Sequence, residues 1–169
     1  MSNVVDMSNA VDIDSVKAII EHVEKKCTAR GKQLTPKRKL VLEALIHADK
    51  ALSAYDLVDY CMQHFSQNVP AMSVYRILEF LENEHFAHKL KVSNKYIVCS
   101  HILCEHEHGI PQFLICSKCN KISEQMIDPK MITGLKSHAK QQGFTIVSPQ
   151  LEINCVCDEC ANSVSWPEL

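Results

Sequence analysis

The chain has 169 residues, of which 46% are hydrophobic, 22% are charged and four are glycine. This length suits one large domain or two small ones, and the composition is that of a folded globular protein rather than a disordered or fibrous one. No apolar run approaches the length needed to cross a bilayer, and the polar N-terminus lacks the basic start and the apolar stretch of a signal peptide. We therefore expect a cytoplasmic protein without a membrane partner.

The formal net charge of −2 gives the chain as a whole no basic signature. Residues 17–39 nevertheless contain eight Lys and Arg against two Glu. Such a local excess of positive charge is suited to binding phosphates, although the same pattern is also typical of a solvated helix face.

Helical spacing recurs through the first part of the chain. Asp14 or Ser15 is the predicted cap of a first helix, whose apolar stripe is Val16, Ile19, Ile20, Val23 and Cys27. A second helix is predicted to begin at Thr35-Pro36, because Thr is a favoured N-cap and Pro a favoured first residue. A third is predicted to begin at Ser53, where Asp56 completes a variant capping box.

A fourth helix follows the break at Asn68-Val-Pro70, with Ser73 as its predicted cap. Its buried face is predicted from the i, i+3, i+4, i+7 spacing of Val74, Ile77, Leu78 and Leu81. The opposite face then carries Tyr75, Arg76 and Glu79. Two strand-like runs, residues 86–92 and 95–99, come next, with Ser93-Asn94 as the turn between them. Short helices followed by a two-stranded hairpin predict a winged helix-turn-helix.

The helical periodicity disappears after residue 99, and a smaller unit follows. Residues 113–116 and 122–127 are predicted strands, Asp128-Pro129 is predicted to begin a helix, and residues 144–147 and 151–154 are predicted to return as strands. The predicted fold class is α+β, with a winged helix-turn-helix domain at residues 1–98, a hinge or metal-binding loop at 99–111 and a small α/β domain at 112–169. The last domain is too small to bury much core alone, so we expect a metal and a partner chain to stabilise it.

Seven of the nine cysteines lie between residues 99 and 160, and in a reducing compartment such crowding indicates metal rather than disulfides. The clearest feature is a pair of CxxC motifs, Cys116/Cys119 and Cys157/Cys160. Four thiolates suit zinc and fill its tetrahedral shell, so the predicted site is structural rather than catalytic.

A second metal site is predicted from residues of three segments. Its candidates are His88, Cys99, His106, His108 and Glu124. A mixed set of nitrogen, sulfur and oxygen donors suits zinc. Because these residues come from the wing, the loop and the second domain, one ion bound by them would link the two domains.

The motifs resemble those of the ferric uptake regulator superfamily. The similarity covers roughly residues 15–162 and rests on Leu34-Thr-Pro-Lys-Arg38, Ser53-Ala-Tyr-Asp-Leu57, Ser73-Val-Tyr-Arg-Ile-Leu78 and the two CxxC pairs. The segments Glu84–Lys89 and Tyr96–His101 are similar to the zinc uptake regulator branch. Iron-type relatives have a ligand histidine before the glycine that ends the second-domain helix, whereas Gln142 precedes Gly143 here.

The resemblance implies two zinc ions per subunit. Cys116, Cys119, Cys157 and Cys160 would hold structural zinc; the regulatory zinc would be bound by His88, Cys99, His108 and Glu124. His106 or His101 is an alternate for the loop ligand, and Cys104 and Cys155 are further candidates for an extra site.

The resemblance further implies a homodimeric repressor of zinc-uptake genes that binds an A/T-rich palindromic operator. Residues 1–98 would then be its winged-helix DNA-binding domain and residues 112–169 its α/β dimerisation domain. Arg76 would contact a guanine edge, Tyr75 a thymine methyl or a phosphate, and Ser73 a phosphate through its backbone N–H. Further candidates for backbone contacts are Lys37, Arg38 and Tyr55.

Three other functions are consistent with parts of the sequence: an iron, manganese or peroxide sensor of the same superfamily, a zinc enzyme, and a structural zinc module. An enzyme is disfavoured because four protein ligands leave no open zinc position and no catalytic signature such as HExxH or a P-loop is present. We accordingly expect no small organic substrate.

Overall fold

The computed structural model describes residues 13–104 and 109–162. The chain divides into two compact units, residues 1–105 and 106–169, and this division lies within the predicted hinge. No helix among the described residues is both long and apolar enough to span a membrane. Helices combined with small sheets confirm the predicted α+β class.

The described residues of the first unit form four helices: α1 (Ile13–Ala29), α2 (Pro36–Ala48), α3 (Ala54–Phe65) and α4 (Ala71–Asn83). The predicted stripes of α1 and α4 are buried in one shared core, together with five residues of α2 and three of α3. Thr35 accepts a hydrogen bond from the backbone N–H of Arg38 and caps α2, and Ser53 and Asp56 form the predicted capping box of α3.

Two predicted helix caps are wrong. Helix α4 begins earlier than expected, with Pro70 at the N-cap, so Ser73 lies in its first turn. The Ser73 N–H donates to the Pro70 carbonyl at 2.8 Å. Asp14 and Ser15 lie inside the first turn of α1, which includes Ile13. In both cases serine is a common capping residue, but the helix begins before the serine in the chain.

The wing consists of β1 (Ala87–Leu90) and β2 (Lys95–Val98), which pair antiparallel with His88 opposite Ile97. The predicted turn is present, and Asn94 adopts the left-handed φ of 51° that Asn tolerates well. An isolated bridge between Leu52 and Tyr96 attaches the hairpin to the segment before α3. The first unit therefore has the predicted winged helix-turn-helix architecture.

The second unit, as far as its residues are described, is a three-stranded sheet with two helices. Its strands are β3 (Pro111–Cys116), β4 (Ile122–Met126) and β5 (Leu151–Cys155), in the order β4-β3-β5. Strand β4 is antiparallel to β3, whereas β5 is parallel to it, with Cys116 opposite Cys155. Helix α5 (Pro129–Gln141) connects β4 to β5, and a short α6 (Asp158–Ala161) follows.

The predicted strand at residues 144–147 is wrong. Gly143 adopts a left-handed φ of 81° after α5, and residues 144–147 pair with no strand. Phe144 and Val147 are largely exposed. A parallel β5 must be reached by a crossover, and this segment supplies part of the crossover instead of a fourth strand.

Candidate metal centres and nucleic-acid interface

The four CxxC cysteines converge at one end of the second unit. Cys116 ends β3, Cys119 lies in the turn to β4, Cys157 is the N-cap of α6 and Cys160 lies within α6. Strand register brings the two pairs together, because β5 ends with Cys155 beside Cys116 and the chain then turns back at Cys157. The register of one parallel strand pair therefore positions both motifs.

The sulfur positions fit a tetrahedral zinc site. All four Sγ atoms lie within 4.8 Å of one another, and those of Cys119 and Cys157 are 3.6 Å apart. Four sulfurs at about 2.3 Å from one zinc ion would be roughly 3.8 Å apart. The two loops are further joined by an ion pair of 3.0 Å between Lys121 and Glu159, which the sequence pattern did not predict.

Hydrogen bonds to sulfur shift the pKa values of Cys116 and Cys160 in opposite directions. The backbone N–H groups of Cys119 and Cys157 lower the pKa of Cys116 to about 6, because they stabilise its thiolate. The neighbouring Cys119 and Cys157 side chains raise the pKa of Cys160 to about 12. Four crowded thiols cannot all ionise together without a cation among them, and a divalent ion that accepts soft sulfur ligands meets that need.

A second group of donors lies on the wing. His88 is half-buried on β1, and Cys99 is buried directly after β2, where its N–H donates to the Phe86 carbonyl at 3.0 Å. A ring nitrogen of His88 and the Cys99 sulfur lie within 4.8 Å of each other. The hairpin thus brings together two of the predicted regulatory ligands, a nitrogen donor and a soft sulfur donor.

The other predicted ligands belong to other segments of the chain. Glu124 is half-buried on β4 of the second unit, opposite Phe113. His106 and His108 lie outside the described residues. The alternate His101 is half-buried in the turn after Cys99, with Nδ1 at 3.0 Å from the Ser100 hydroxyl. Cys104 is exposed, and its carbonyl accepts a hydrogen bond of 2.8 Å from Lys26.

The predicted nucleic-acid face carries two tyrosines and an arginine. Arg76 is exposed on α4, opposite the buried face of that helix. Tyr55, 65% exposed in the first turn of α3, meets Tyr75 of α4 edge to face, with ring centroids 6.3 Å apart. This contact brings together side chains of two consecutive helices, and Tyr75 directly precedes Arg76 in the chain.

The remaining predicted contacts differ in their accessibility. Lys37 is exposed in the first turn of α2. Arg38 is partly buried: its guanidinium lies 3.6 Å from the centroid of the Phe80 ring and donates to the Gln33 carbonyl at 2.7 Å. Ser73 is half-buried, and its backbone N–H is already bonded within the helix. Sequence spacing could not predict the Arg38–Phe80 contact, since the two residues belong to different helices.

Residues 29–154 match the model of the ferric uptake regulator family. The chain belongs to this family. The zinc uptake regulation protein of Escherichia coli K12 is 31% identical over 146 residues, which cover 86% of this chain and 83% of that protein. Ferric uptake regulator family members are transcription regulators rather than enzymes.

Solved structures of family members show the same fold. A zinc uptake regulator complexed with zinc and DNA superposes with a TM-score of 0.75 at 28% identity, covering 88% of this chain and 97% of that one. The crystal structure of holo XcZur superposes with a TM-score of 0.67 at 32% identity, covering 86% and 98%. The predicted resemblance to the zinc uptake regulator branch of this family is confirmed.

Proposed function

We propose that this chain is a zinc-responsive transcriptional repressor, which acts in the cytoplasm as a zinc-loaded homodimer, binds operator DNA and controls zinc-uptake genes. The observation that carries this proposal is the pairing of His88 with Cys99 on the wing of a winged-helix unit. A ligand set that includes a thiolate and an imidazole favours zinc over harder ions. The similarity to zinc uptake regulators, one of them solved with zinc and DNA, supports the same function.

Two groups of metal ligands would bind two zinc ions per subunit. The four CxxC cysteines would hold a structural ion, since they leave no open coordination position. The regulatory ion would be held by His88, Cys99, His108 and Glu124, with His106 or His101 as alternates for the loop histidine. Since Glu124 belongs to the second unit, an ion held by this set restricts the arrangements that the two units adopt.

Zinc would control repression by thermodynamic linkage. If zinc binds better to the arrangement in which a dimer presents two α4 helices to two half-sites, it raises the affinity for DNA by the same factor. In that complex Arg76 would contact a guanine edge, and Tyr75 a thymine methyl or a phosphate. Lys37, Tyr55 and Arg38 would contact the DNA backbone, and the proposed operator is an A/T-rich palindrome. Ser73 would contribute its hydroxyl rather than its N–H, because the N–H is bonded within α4.

Replacing Cys99 tests the sensing site. The variant Cys99→Ser is expected to need on the order of 100-fold more zinc for operator binding, because loss of a group that merely hydrogen-bonds to a metal ligand already weakens metal sites about 10–100-fold. The measurement is operator binding by fluorescence anisotropy across a zinc titration buffered by a chelator. Cys104→Ser, at an exposed thiol five residues along the chain, is the matched control and should respond as the wild type does.

An equal zinc response in Cys99→Ser and the wild type would exclude Cys99 from the sensing site. Wild-type operator binding that is restored by ferrous iron but not by zinc would instead identify an iron sensor. Metal analysis of the purified chain gives an independent check, since the proposal requires one tightly held and one exchangeable zinc ion.

A partner chain is suggested by the incompletely buried second unit. Helix α5 has no fully buried residue, and its apolar Met131 and Leu135 are both exposed. A helix with a solvated apolar face gains stability when a second surface covers it. We place the homodimer interface on this unit.

Charge on the apolar face of α5 is therefore expected to weaken the dimer. Leu135→Glu should lower the dimerisation constant at least roughly tenfold, since it places a charge in a desolvated interface. Analytical ultracentrifugation measures this constant. The control is Ser137→Glu, which adds the same charge two residues along the helix, on a different face. Equal dimerisation of the two variants would contradict this location of the interface.

A further inference from the structure

A surface cleft of about 410 Å³ lies on the first unit beside the last turns of α4. Three cations, Lys32, Arg38 and Arg76, line it together with the acids Glu79 and Glu84 and the ring of Phe80. The cleft thus joins the exposed arginine of α4 to the loop between α1 and α2. That loop lies within the basic stretch of residues 17–39. Of the cations in this stretch, only Lys37 and Arg38 are among the DNA contacts proposed above.

Glu84 is the unusual member of this group, because its carboxylate is buried. The residue is only 4% exposed at the C-cap of α4. Arg30 donates to one carboxylate oxygen at 3.2 Å and to the Glu84 carbonyl at 3.4 Å, and Lys32 donates to the other carboxylate oxygen. One acid therefore attaches the α1–α2 loop to the end of α4.

The local electrostatics oppose an unpaired acid at this position. The end of a helix carries partial negative charge from its last carbonyl groups, which disfavours a carboxylate. Burial raises the pKa of Glu84, but the hydrogen bonds from Lys32 and Arg30 outweigh it and lower the pKa below its usual value. Glu84 is thus a stable anion at neutral pH, and its two cations are held in defined positions.

The two cations remain available to a ligand. The side chains of Arg30 and Lys32 are 49% and 50% exposed, although each has one donor on Glu84. Arginine has five N–H donors and lysine three, so each retains donors for a second acceptor. Arg38 is fixed beside them by its contacts with Phe80 and Gln33. Lys32 and Arg38 thus share the cleft with Arg76, and Arg30 is held next to Lys32 by their common partner Glu84.

We propose that Glu84 is a positioning residue for DNA binding, which holds Arg30 and Lys32 where they contact phosphodiester groups flanking the bases contacted by Arg76. This inference rests on the proposed function, because it assumes that α4 enters the major groove. Phosphate contacts of this kind carry no sequence information but fix the register of the recognition helix. The acid acts only through its two cations and touches no DNA itself.

The test depends on the direction in which loss of the acid changes the affinity for DNA. Removing an acid from a DNA-binding surface ordinarily tightens binding, because one repulsive charge is lost. Glu84→Gln is instead expected to weaken operator binding roughly tenfold at physiological salt, since two phosphate contacts lose their geometry. The matched control is Glu79→Gln, which removes the same charge from an exposed position of the same helix and the same cleft. Its binding should be unchanged or a few-fold tighter.

The salt dependence of DNA binding distinguishes a positioning role of Glu84 from a general effect on the stability of the fold. The slope of log affinity against log salt should fall by about one or two in Glu84→Gln, because each lost phosphate contact removes about one unit. Lys32→Gln changes a half-exposed side chain and should lower the slope by about one. This variant tests the phosphate contact of Lys32 even if Glu84→Gln fails to fold. Binding by Glu84→Gln that equals or exceeds the wild type, or an unchanged slope in Lys32→Gln, overturns the positioning role. Zinc-loaded wild type that binds no DNA refutes the proposed function itself.

Discussion

Replacing Cys116 with Ser is expected to release one zinc ion per subunit and to unfold the second unit. The cysteine is buried where β3 meets the α6 turn, and its sulfur accepts the Cys157 N–H at 3.4 Å. Structural zinc contributes on the order of 10 kcal/mol in small domains, which exceeds the few kcal/mol that a core this small supplies by itself. The loss should appear as a missing zinc ion by mass spectrometry and as a separate, low-temperature transition in calorimetry.

Cys155→Ser is the control for that experiment. Cys155 is two residues from Cys157 and its thiol donates to the Ile115 carbonyl at 3.5 Å, outside the four-sulfur cluster. This variant should retain both its zinc and its thermal transition. Full zinc content and an unchanged melting profile in Cys116→Ser would show that the cysteine cluster does not hold structural zinc.

Replacing Arg76 with Ala is expected to reduce operator affinity by roughly 10–100-fold, since a bidentate arginine–guanine contact contributes about 1–3 kcal/mol. The side chain is exposed on α4 and the buried face of the helix is untouched, so the fold should persist. Operator binding is measured by anisotropy with zinc in excess, and circular dichroism and sedimentation check the fold and the dimer.

The variant Arg76→Lys distinguishes the contribution of the charge from that of base recognition. Lysine keeps the charge but lacks the planar fork that binds two acceptors of one guanine. This variant should retain affinity for random DNA while losing discrimination between the operator and a sequence with the contacted guanine replaced. Equal discrimination by Arg76→Lys and the wild type would mean that Arg76 contacts a phosphate rather than a base.

Local chemical signals predicted much of the fold and of the candidate sites. Thr35 and Ser53 were recognisable caps because each bonds to a backbone group within three residues. The buried face of α4 followed from residue spacing alone. The CxxC pairs were recognisable because two thiols at this spacing bind one ion from a single turn.

Features that depend on distant pairing could not be predicted in this way. Glu84 has the sequence appearance of an ordinary polar residue at a helix end, and its partners Arg30 and Lys32 precede it by 54 and 52 positions. Residues 144–147 have the composition of a strand, but strand formation needs a neighbour, and the sheet in the described residues offers them none. The sequence likewise contains no sign that β5 pairs in parallel with β3.

That parallel pairing affects how the second unit forms. Cys116 and Cys119 share a tight turn, whereas Cys157 and Cys160 reach that turn only once β5 has aligned with β3. Joining segments so far apart in the chain carries an entropic cost before any contact offsets it. If the four cysteines hold zinc as proposed, completion of the metal shell and closure of the crossover become one cooperative event, in which zinc binding favours the correct alignment of the two strands over a misaligned one.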